Sequence, residues 1–303
     1  MKIIHRDIIV PERNGEVEIY PLGDLHIGYR ACCEKLLKKT VSEIASKRNA
    51  YWIGGGDYLD AIKPSDAKRF DMDTLPDWML EGEAETIRKR LNDVLTQQKE
   101  RCKDILLPIK NKCLGLIEGN HEFSIRKYHN ENVHNELCNK LETEDLTDEA
   151  LIRINFKHKI KGKSSTNTIS RVVILYICHG HGGGRTAGAE PNHLSRMLLE
   201  WEIADICFRG HSHTFQILPP KPVLEIPKSG QIPDECTCRY RWAANWGCWT
   251  LQHAVGPSTY ASRACYPARP MLTCKAVIKP FYRKHTGNKE YQTPLTEIRS
   301  ITL

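Results

Sequence analysis

The chain has 303 residues and a formal net charge of +7, and 40% of its residues are hydrophobic and 27% charged. This composition is typical of a globular protein with a sizeable core, and no stretch approaches the roughly 18 apolar residues of a membrane-spanning helix. The first residues show no export-signal pattern, and the twelve scattered cysteines favour reduced thiols over a disulfide framework. We therefore expect a cytoplasmic protein that does not bind a membrane.

Residue periodicity predicts a strand–helix–strand unit near the start. Residues 16–20 alternate between polar and apolar side chains, residues 34–48 carry apolar side chains at helical spacing, and residues 50–53 form a short apolar run. The same criteria predict further elements in chain order: a helix over about 81–105, a strand at 114–117, a helix over about 124–141, strands at 151–160 and 171–178 joined by a polar loop, a helix from near Pro191, and strands at 206–208, 249–251 and 276–278.

The stretch from about 216 to 270 breaks this regularity, because prolines at five positions between 219 and 233 oppose helix formation. We expect an irregular insertion there, containing proline and cysteine, within a single domain that covers residues 1–303. Cys236, Cys238 and Cys248 match none of the strong paired spacings of zinc sites, so core or loop cysteines are the favoured interpretation.

Five predicted strands end at glycine-containing motifs whose other side chains can bind a metal ion. The motifs are Gly-Asp-Leu-His at 23–26, Gly-Asp-Tyr-Leu-Asp at 56–60, Gly-Asn-His-Glu at 119–122, His-Gly-His at 179–181 and Gly-His-Ser-His at 210–213. Carboxyl ends of strands are where open α/β sheets place their sites, and mixed oxygen and nitrogen donors suit a hard or borderline divalent cation. The candidate ligands are Asp24, His26, Asp57, Asn120, His179 or His181, His211 and His213.

The order of these motifs resembles that of the calcineurin-like metallophosphoesterases, from about residue 17 to residue 213. The resemblance implies an α/β (α+β) fold, a four-layer αββα sandwich of two mixed β-sheets flanked by helices. It also implies two divalent ions that share one hydroxide, which attacks phosphorus, and that clamp the phosphoryl oxygens. The donor types suit manganese, iron or zinc, with manganese favoured.

The resemblance also implies a role for each candidate ligand. Asp57 would bridge the two ions. The other ligands would divide between the two sites, with Asp24, His26 and His213 in one and Asn120, His179 and His211 in the other. His179 is preferred to His181 because it follows its strand directly.

His121 is not a ligand in the family's pattern and would face the substrate. There it would stabilise the transition state or protonate the leaving oxygen, and Asp60 behind it would fix its tautomer and raise its basicity. The alternative for Asp60 is a helix cap or an ordinary loop carboxylate.

Two departures from the pattern of serine/threonine protein phosphatases bear on the substrate. Ala61 and Glu118 stand where arginines that bind phosphate are found in those enzymes. We therefore expect a phosphodiesterase or nuclease acting on nucleic acid or a nucleotide, and the net charge and the basic segment 157–163 favour DNA or RNA as a partner. The alternatives are a small-molecule phosphomonoesterase and a non-catalytic scaffold of the same fold.

Overall fold

A computed structural model describes residues 1–161, 166–182, 186, 188–225, 237–253, 259–263, 265, 269–286 and 289–302. The described strands, in chain order, are β1 (Lys2–Ile9), β2 (Val17–Leu22), β3 (Ala50–Gly54), β4 (Cys113–Leu116), β5 (Glu149–Lys161), β6 (Thr166–Cys178), β7 (Ile206–Arg209), β8 (Phe215–Ile217), β9 (Lys221–Glu225), β10 (Thr237–Trp246), β11 (Leu272–Thr286) and β12 (Lys289–Thr302). The described α-helices are α1 (Glu34–Ser46), α2 (Asp77–Leu80), α3 (Ala84–Asn92), α4 (Val94–Leu106), α5 (Asn120–His129), α6 (Val133–Lys140), α7 (Ala189–Glu200) and α8 (Tyr260–Arg263).

These strands form the two mixed sheets that the sequence predicts. The described part of one sheet has seven strands in the order β1-β5-β6-β7-β10-β8, with β9 paired to β10, and the other has five in the order β12-β11-β2-β3-β4. Strands β2, β3 and β4 run parallel to one another, and β6 runs parallel to β7. Residues that follow parallel strands meet at one edge of a sheet, which is where the metal-binding motifs lie.

Three apolar clusters hold the layers together. The cluster between the sheets joins Ile154 of β5 to Ile19 of β2. A second joins Leu37 of α1 to Trp52 of β3, and a third packs Leu194 of α7 against β7. The order helix, sheet, sheet, helix is the αββα sandwich. In the described part of the chain, no helix has the length and apolar character needed to cross a membrane.

Two predicted helices are each divided in the structure. The helix predicted over 81–105 divides into α3 and α4 at Asp93, whose φ of −126° and ψ of 38° are not helical. The helix predicted over 124–141 begins earlier, at Asn120, and breaks at Asn130, whose φ is 54°. Asparagine tolerates this left-handed conformation, which ends a helix.

The stretch 216–270 is more regular than the sequence predicts. It contains most of β8 together with β9 and β10, and β10 pairs with β7 inside the seven-stranded sheet. Residues 249–251 are not a strand, because only Thr250 makes an isolated bridge, to Cys32. Part of the stretch, including Cys236, lies outside the described residues.

Candidate metal centre

The predicted metal-binding side chains follow five strands whose carboxyl ends face one another. Asp24 and His26 follow β2, Asp57 follows β3, and Asn120 opens α5 after β4. From the other sheet, His179 follows β6, and the 211–213 segment follows β7. Main-chain hydrogen bonds join these loops: Asp24 N–H donates to Gly56 O at 2.9 Å, and His26 N–H donates to Asp57 O at 3.0 Å.

One group of candidate ligands consists of Asp24, His26 and His213. His213 Nε2 lies 3.3 Å from Asp24 Oδ1 and 3.0 Å from His26 Nε2. Metal–ligand bonds of about 2.0–2.2 Å place neighbouring ligand atoms roughly 3.0–3.5 Å apart, so this spacing fits one ion.

A second group consists of Asp57, His179 and His211, with Asn120 beside them. His179 Nε2 lies 3.2 Å from Asp57 Oδ2 and 3.0 Å from Asn120 Oδ1. His211 Nδ1 lies 2.6 Å from the same amide oxygen. This group therefore combines carboxylate, amide and imidazole donors at the separations of a second ion.

Asp57 connects the two groups. Its Oδ2 faces His179 on one side and lies 4.0 Å from His26 Nε2 on the other. A carboxylate between two sets of donors is the arrangement expected of a residue that bridges two ions.

The carboxylates at the centre each keep one oxygen for an ion. Asp24 Oδ2 accepts hydrogen bonds from Trp246 Nε1 at 2.6 Å and from His211 N–H at 3.0 Å. Asp24 Oδ1 is buried and faces His213 Nε2 at 3.3 Å, outside hydrogen-bonding geometry, with no other donor among the described residues. Similarly, Asp57 Oδ1 accepts from His121 N–H at 2.9 Å, which leaves Oδ2 toward the imidazoles. Each of these two oxygens thus faces an imidazole that can itself bind a metal, so the residues fit a divalent cation held between them.

The electrostatics of the centre favour charged carboxylates. Burial opposes the ionisation of Asp24 and Asp57, but neighbouring imidazoles hold the pKa of each carboxyl below its usual value. Burial and neighbouring imidazoles lower the pKa of His26, so that its ring is a neutral donor. Burial also opposes protonation of His179, but Asp57 raises its pKa to about 9. An ion at this position must therefore displace a proton from His179.

The backbone at the centre is strained. Five of the candidate ligands adopt left-handed conformations, with φ between 50° and 69°: Asp24, His26, Asp57, His211 and His213. Such conformations are uncommon for residues other than glycine and concentrate at functional sites.

The structure places Asp60 differently from the role that the resemblance implies. His121 Nδ1 lies 2.5 Å from the main-chain oxygen of Asp60, and not against its carboxylate. The Asp60 carboxylate instead faces His26, with Oδ1 3.9 Å from Nδ1. The tautomer of His121 is thus fixed by a carbonyl, which accepts the Nδ1–H, while the carboxylate lies beside a candidate ligand without bonding to it.

Two structural residues of the site were not identified from the sequence. Glu122 is fully buried and accepts from the main-chain N–H groups of Asp57 and Leu59 at 3.0 Å and of Gly119 at 3.2 Å. Its position three residues after Gly119 is the spacing of a capping glutamate, which could have indicated this role. Trp246 has no such local signal.

Trp246 fills the space behind three of the motifs. A Cβ atom added to Gly23, Gly55 or Gly210 would collide with its ring. The backbones of three metal-binding loops therefore rest on one indole, whose N–H also donates to Asp24.

His181 and the described residues of the basic segment, 157–161, belong to neither group of candidate ligands. Lys157 and Lys161 are in β5, whose first residue, Glu149, pairs with Cys178 beside His179. Twelve residues along β5 take the chain from Glu149 to Lys161, and at about 3.3 Å per residue Lys161 is roughly 40 Å from Glu149. The described part of the basic segment is thus not beside the site, and Lys163 lies outside the described residues.

No protein-family model matches the chain, and no curated protein matches it significantly. Several solved structures are similar to it, and three of them, described next, each match 94% of this chain. A protein of Streptococcus pneumoniae described as a predicted phosphoesterase has 12% identity over 99% of its length, with a TM-score of 0.33. The calcineurin-like phosphoesterase YfkN of Bacillus subtilis has 9% identity over 90% of that chain, with a TM-score of 0.42. Vps29 of Entamoeba histolytica, complexed with Zn²⁺, has 11% identity over 99% of that chain, with a TM-score of 0.35.

All three TM-scores are below 0.5, so these overlaps carry no weight in assigning chemistry to the site. The ligand geometry carries that assignment instead. In the order of its motifs and in its two-sheet sandwich, the chain resembles the calcineurin-like phosphoesterases.

Proposed function

We propose that this protein is a binuclear-metal-dependent phosphoester hydrolase that prefers phosphodiesters, with a nucleic acid or nucleotide as substrate. The observation that carries the proposal is the position of Asp57. Its Oδ2 lies between the Asp24 and His26 group and the His179 and His211 group. Two donor groups joined by one carboxylate are the arrangement that hydrolysis by a pair of metal ions requires.

The protein's own residues would hold the substrate and move the proton. Two bound divalent ions supply water activation and polarisation of the phosphoryl oxygens. His121 lies at the mouth of the centre with its side chain 19% exposed, and its Nε2 is 4.0 Å from Asp57 Oδ2. Burial opposes protonation of His121, but Asp57 and Asp60 raise its pKa. The protonated ring can therefore donate from Nε2 to the leaving oxygen while Nδ1–H stays on the carbonyl.

The preference for a diester follows from the charges around the centre. A phosphomonoester carries nearly two negative charges at neutral pH and gains more from extra cationic side chains than a diester, which carries one. Ala61 supplies no cation, and Glu118 supplies a carboxylate that Arg126 neutralises through hydrogen bonds of 2.6 and 2.9 Å. The cations that a monoesterase would use are thus missing at these two positions.

Hydrolysis of paired nitrophenyl esters tests the proposal. The manganese-loaded protein should cleave bis(p-nitrophenyl) phosphate faster than p-nitrophenyl phosphate, and a chelator should abolish both reactions. A preference for the monoester would indicate a small-molecule phosphomonoesterase. Absence of hydrolysis together with absence of bound metal would indicate a scaffold.

Nucleic acid as substrate has its own test. Short single-stranded DNA should be degraded at low salt, with a rate that falls as salt rises. Because Lys159 and Lys161 lie at the end of β5 away from the centre, the double variant Lys159→Gln, Lys161→Gln should degrade a short oligonucleotide at the parent rate. Untouched DNA with active cleavage of the small diester would restrict the substrate to nucleotides.

A further inference from the structure

Strand β1 forms one edge of the seven-stranded sheet. It runs over Lys2–Ile9 and pairs with β5 on one side, and no other described strand pairs with it on the other side. The opposite edge of the sheet is β8, which has only three residues. A long edge strand presents a row of unpaired main-chain N–H and C=O groups, which can pair with a further strand.

The unpaired main-chain groups of β1 belong to its odd-numbered residues. Val10, directly after the strand, donates its main-chain N–H to Lys157 O of β5 at 2.9 Å. Successive residues of a strand alternate in the direction of their main-chain groups, so residues 4, 6 and 8 also point toward β5. Residues 3, 5, 7 and 9 therefore point away from β5, and their side chains share the exposed face of the strand. One of these carbonyls, His5 O, accepts from Arg6 Nη1 at 3.2 Å and keeps a second lone pair.

The side chains of β1 are arranged symmetrically about Arg6. Two isoleucines lie on each side of it, at positions 3, 4, 8 and 9, and His5 and Asp7 flank it directly. The outer isoleucines, Ile3 and Ile9, are 63% and 60% exposed. The apolar pattern is the same from either end of the strand, and an imidazole on one side corresponds to a carboxylate on the other. Such a strand is complementary to a second copy of itself that runs antiparallel.

The side chains favour one register for this pairing. A register centred on His5 or on Asp7 would place two identical polar side chains opposite each other at the two-fold axis. The register centred on Arg6 instead places Ile3 opposite Ile9 of the second copy, and His5 opposite its Asp7. Apolar pairs and pairs of opposite polarity directly across two strands stabilise a sheet, whereas like charges destabilise it.

The charged side chains at this edge are compatible with that register. Asp7 accepts hydrogen bonds from Lys157 Nζ at 2.6 Å and from Asn155 Nδ2 at 2.9 Å, and an ionised carboxylate has capacity for a further donor. Arg6 would lie opposite Arg6 of the second copy, but each guanidinium carries with it the Glu144 carboxylate that it contacts at 2.6 Å. The two arginines would thus meet as two neutralised pairs.

We propose that this protein forms a two-fold symmetric dimer in which β1 pairs antiparallel with β1 of a second copy, in the register centred on Arg6. The two seven-stranded sheets then form one continuous sheet. The four outward-facing residues of each copy form about eight main-chain hydrogen bonds across the axis. The interface is isologous, because each copy contributes the same surface. An interface of one strand from each copy is small, so the dimer is in equilibrium with the monomer.

The dimer leaves the two metal centres separate. Lys2 pairs with Ala150, and the preceding residue, Glu149, pairs with Cys178 beside His179. The centre therefore lies toward the Lys2 end of β1. Because the two copies of β1 run antiparallel, their Lys2 ends point in opposite directions, and neither copy contributes a residue to the other's centre. The dimer is thus independent of the proposed hydrolase function.

Sedimentation velocity tests the dimer. Over about 1–100 µM, the fraction of a species with the mass of two chains should rise with concentration. Ile9→Glu should raise the dissociation constant at least tenfold, because each new carboxylate is desolvated against Ile3 of the other copy. Ile203→Glu is the matched control, since it replaces an isoleucine that is 56% exposed and lies outside β1, and it should dimerise like the parent protein. Equal dissociation constants for the two variants would overturn the proposed interface.

A charge-pair rescue tests the register. Ile3→Lys should also weaken the dimer, but the double variant Ile3→Lys, Ile9→Glu should restore it, because each lysine then lies opposite a glutamate of the other copy. The two positions are about 20 Å apart along one strand, so this pair cannot form within a single copy. A double variant no more dimeric than Ile9→Glu would exclude the register centred on Arg6.

Disulfide cross-linking tests the two-fold axis directly. In the proposed register the two copies of Arg6 form a non-hydrogen-bonded pair with Cα atoms about 4.5 Å apart, which is within the range of a disulfide. Arg6→Cys should therefore give a covalent dimer on oxidation, reversed by a reductant and assigned to position 6 by peptide mapping, whereas His5→Cys should not. A link at position 5 in place of position 6, or a parent protein that stays monomeric up to roughly 100 µM, would overturn the proposal.

Discussion

The indole N–H of Trp246 donates to Asp24 Oδ2 at 2.6 Å, across 222 residues of sequence. Because this hydrogen bond and the one from His211 N–H occupy Oδ2, Asp24 can offer an ion only Oδ1. The tryptophan thus fixes which oxygen of a candidate ligand faces the metal. Loss of a hydrogen bond that orients a metal ligand typically lowers metal affinity by 10- to 100-fold.

Trp246→Phe should therefore weaken metal binding without removing a ligand. The phenyl ring keeps most of the contact with the three glycine loops but leaves Asp24 Oδ2 with one donor fewer. We expect a 10- to 100-fold loss of manganese affinity by calorimetry and a loss of about 1–3 kcal/mol in the free energy of unfolding.

Trp249→Phe is the matched control. Trp249 is also fully buried, but its Nε1 has no hydrogen-bond partner among the described residues. Its replacement should leave manganese affinity unchanged. Equal losses of affinity in the two variants would mean that ring volume matters and the Trp246 hydrogen bond does not.

Metal binding should stabilise the folded protein, and two ions should contribute. We expect close to two transition-metal ions per chain by elemental analysis and a lower melting temperature after chelation, restored by manganese. Asp57→Asn should weaken both sites, because its carboxylate contacts both groups, whereas His213→Ala should weaken one. One ion per chain in the parent protein, or one intact site in Asp57→Asn, would contradict the bridging role.

His121 and Asp60 should differ when each is replaced. His121→Ala should keep its metal content and lose about 100-fold or more in turnover, the usual range for a general acid. Asp60→Asn keeps the carbonyl that holds His121, so its main effect should be on metal affinity through His26. A turnover loss in Asp60→Asn as large as that of His121→Ala, at full metal occupancy, would show that the carboxylate acts in catalysis.

Gly119→Ala should displace a candidate ligand through a steric clash with Asp57. An added Cβ would collide with the main-chain nitrogen and Oδ1 of Asp57, and so displace the carboxylate between the two groups. We expect loss of both metal ions on elemental analysis. Gly188→Ala is the control, since its Cβ would meet no atom within 4 Å and should leave metal content unchanged.

The sequence predicts the parts of this fold that local periodicity and glycine motifs determine. Strands β2, β3, β4 and β7 lie within a few residues of their predicted positions, because each is an apolar segment followed by a glycine and polar side chains. The candidate ligands lie together for the same reason. The breaks at Asp93 and Asn130 were missed because apolar spacing continues on both sides of them.

Long-range contacts are what the sequence does not reveal. Trp246 lies in a stretch predicted to be irregular, and its partner Asp24 is at the other end of the chain. The motifs indicate that His121 and Asp60 lie close together. They do not indicate whether His121 contacts the carboxylate or the main-chain oxygen of Asp60. The distance of the 157–163 segment from the centre depends on the direction and length of β5.

The left-handed backbone of the candidate ligands bears on how the centre could be dismantled. Such conformations cost on the order of 1–3 kcal/mol each and persist only where the surroundings impose them. Glycine at His26, His211 or His213 would adopt the same backbone without this cost, but it would remove an imidazole from the centre. At these three positions the backbone alone favours glycine, and only the side chain gives a reason for histidine.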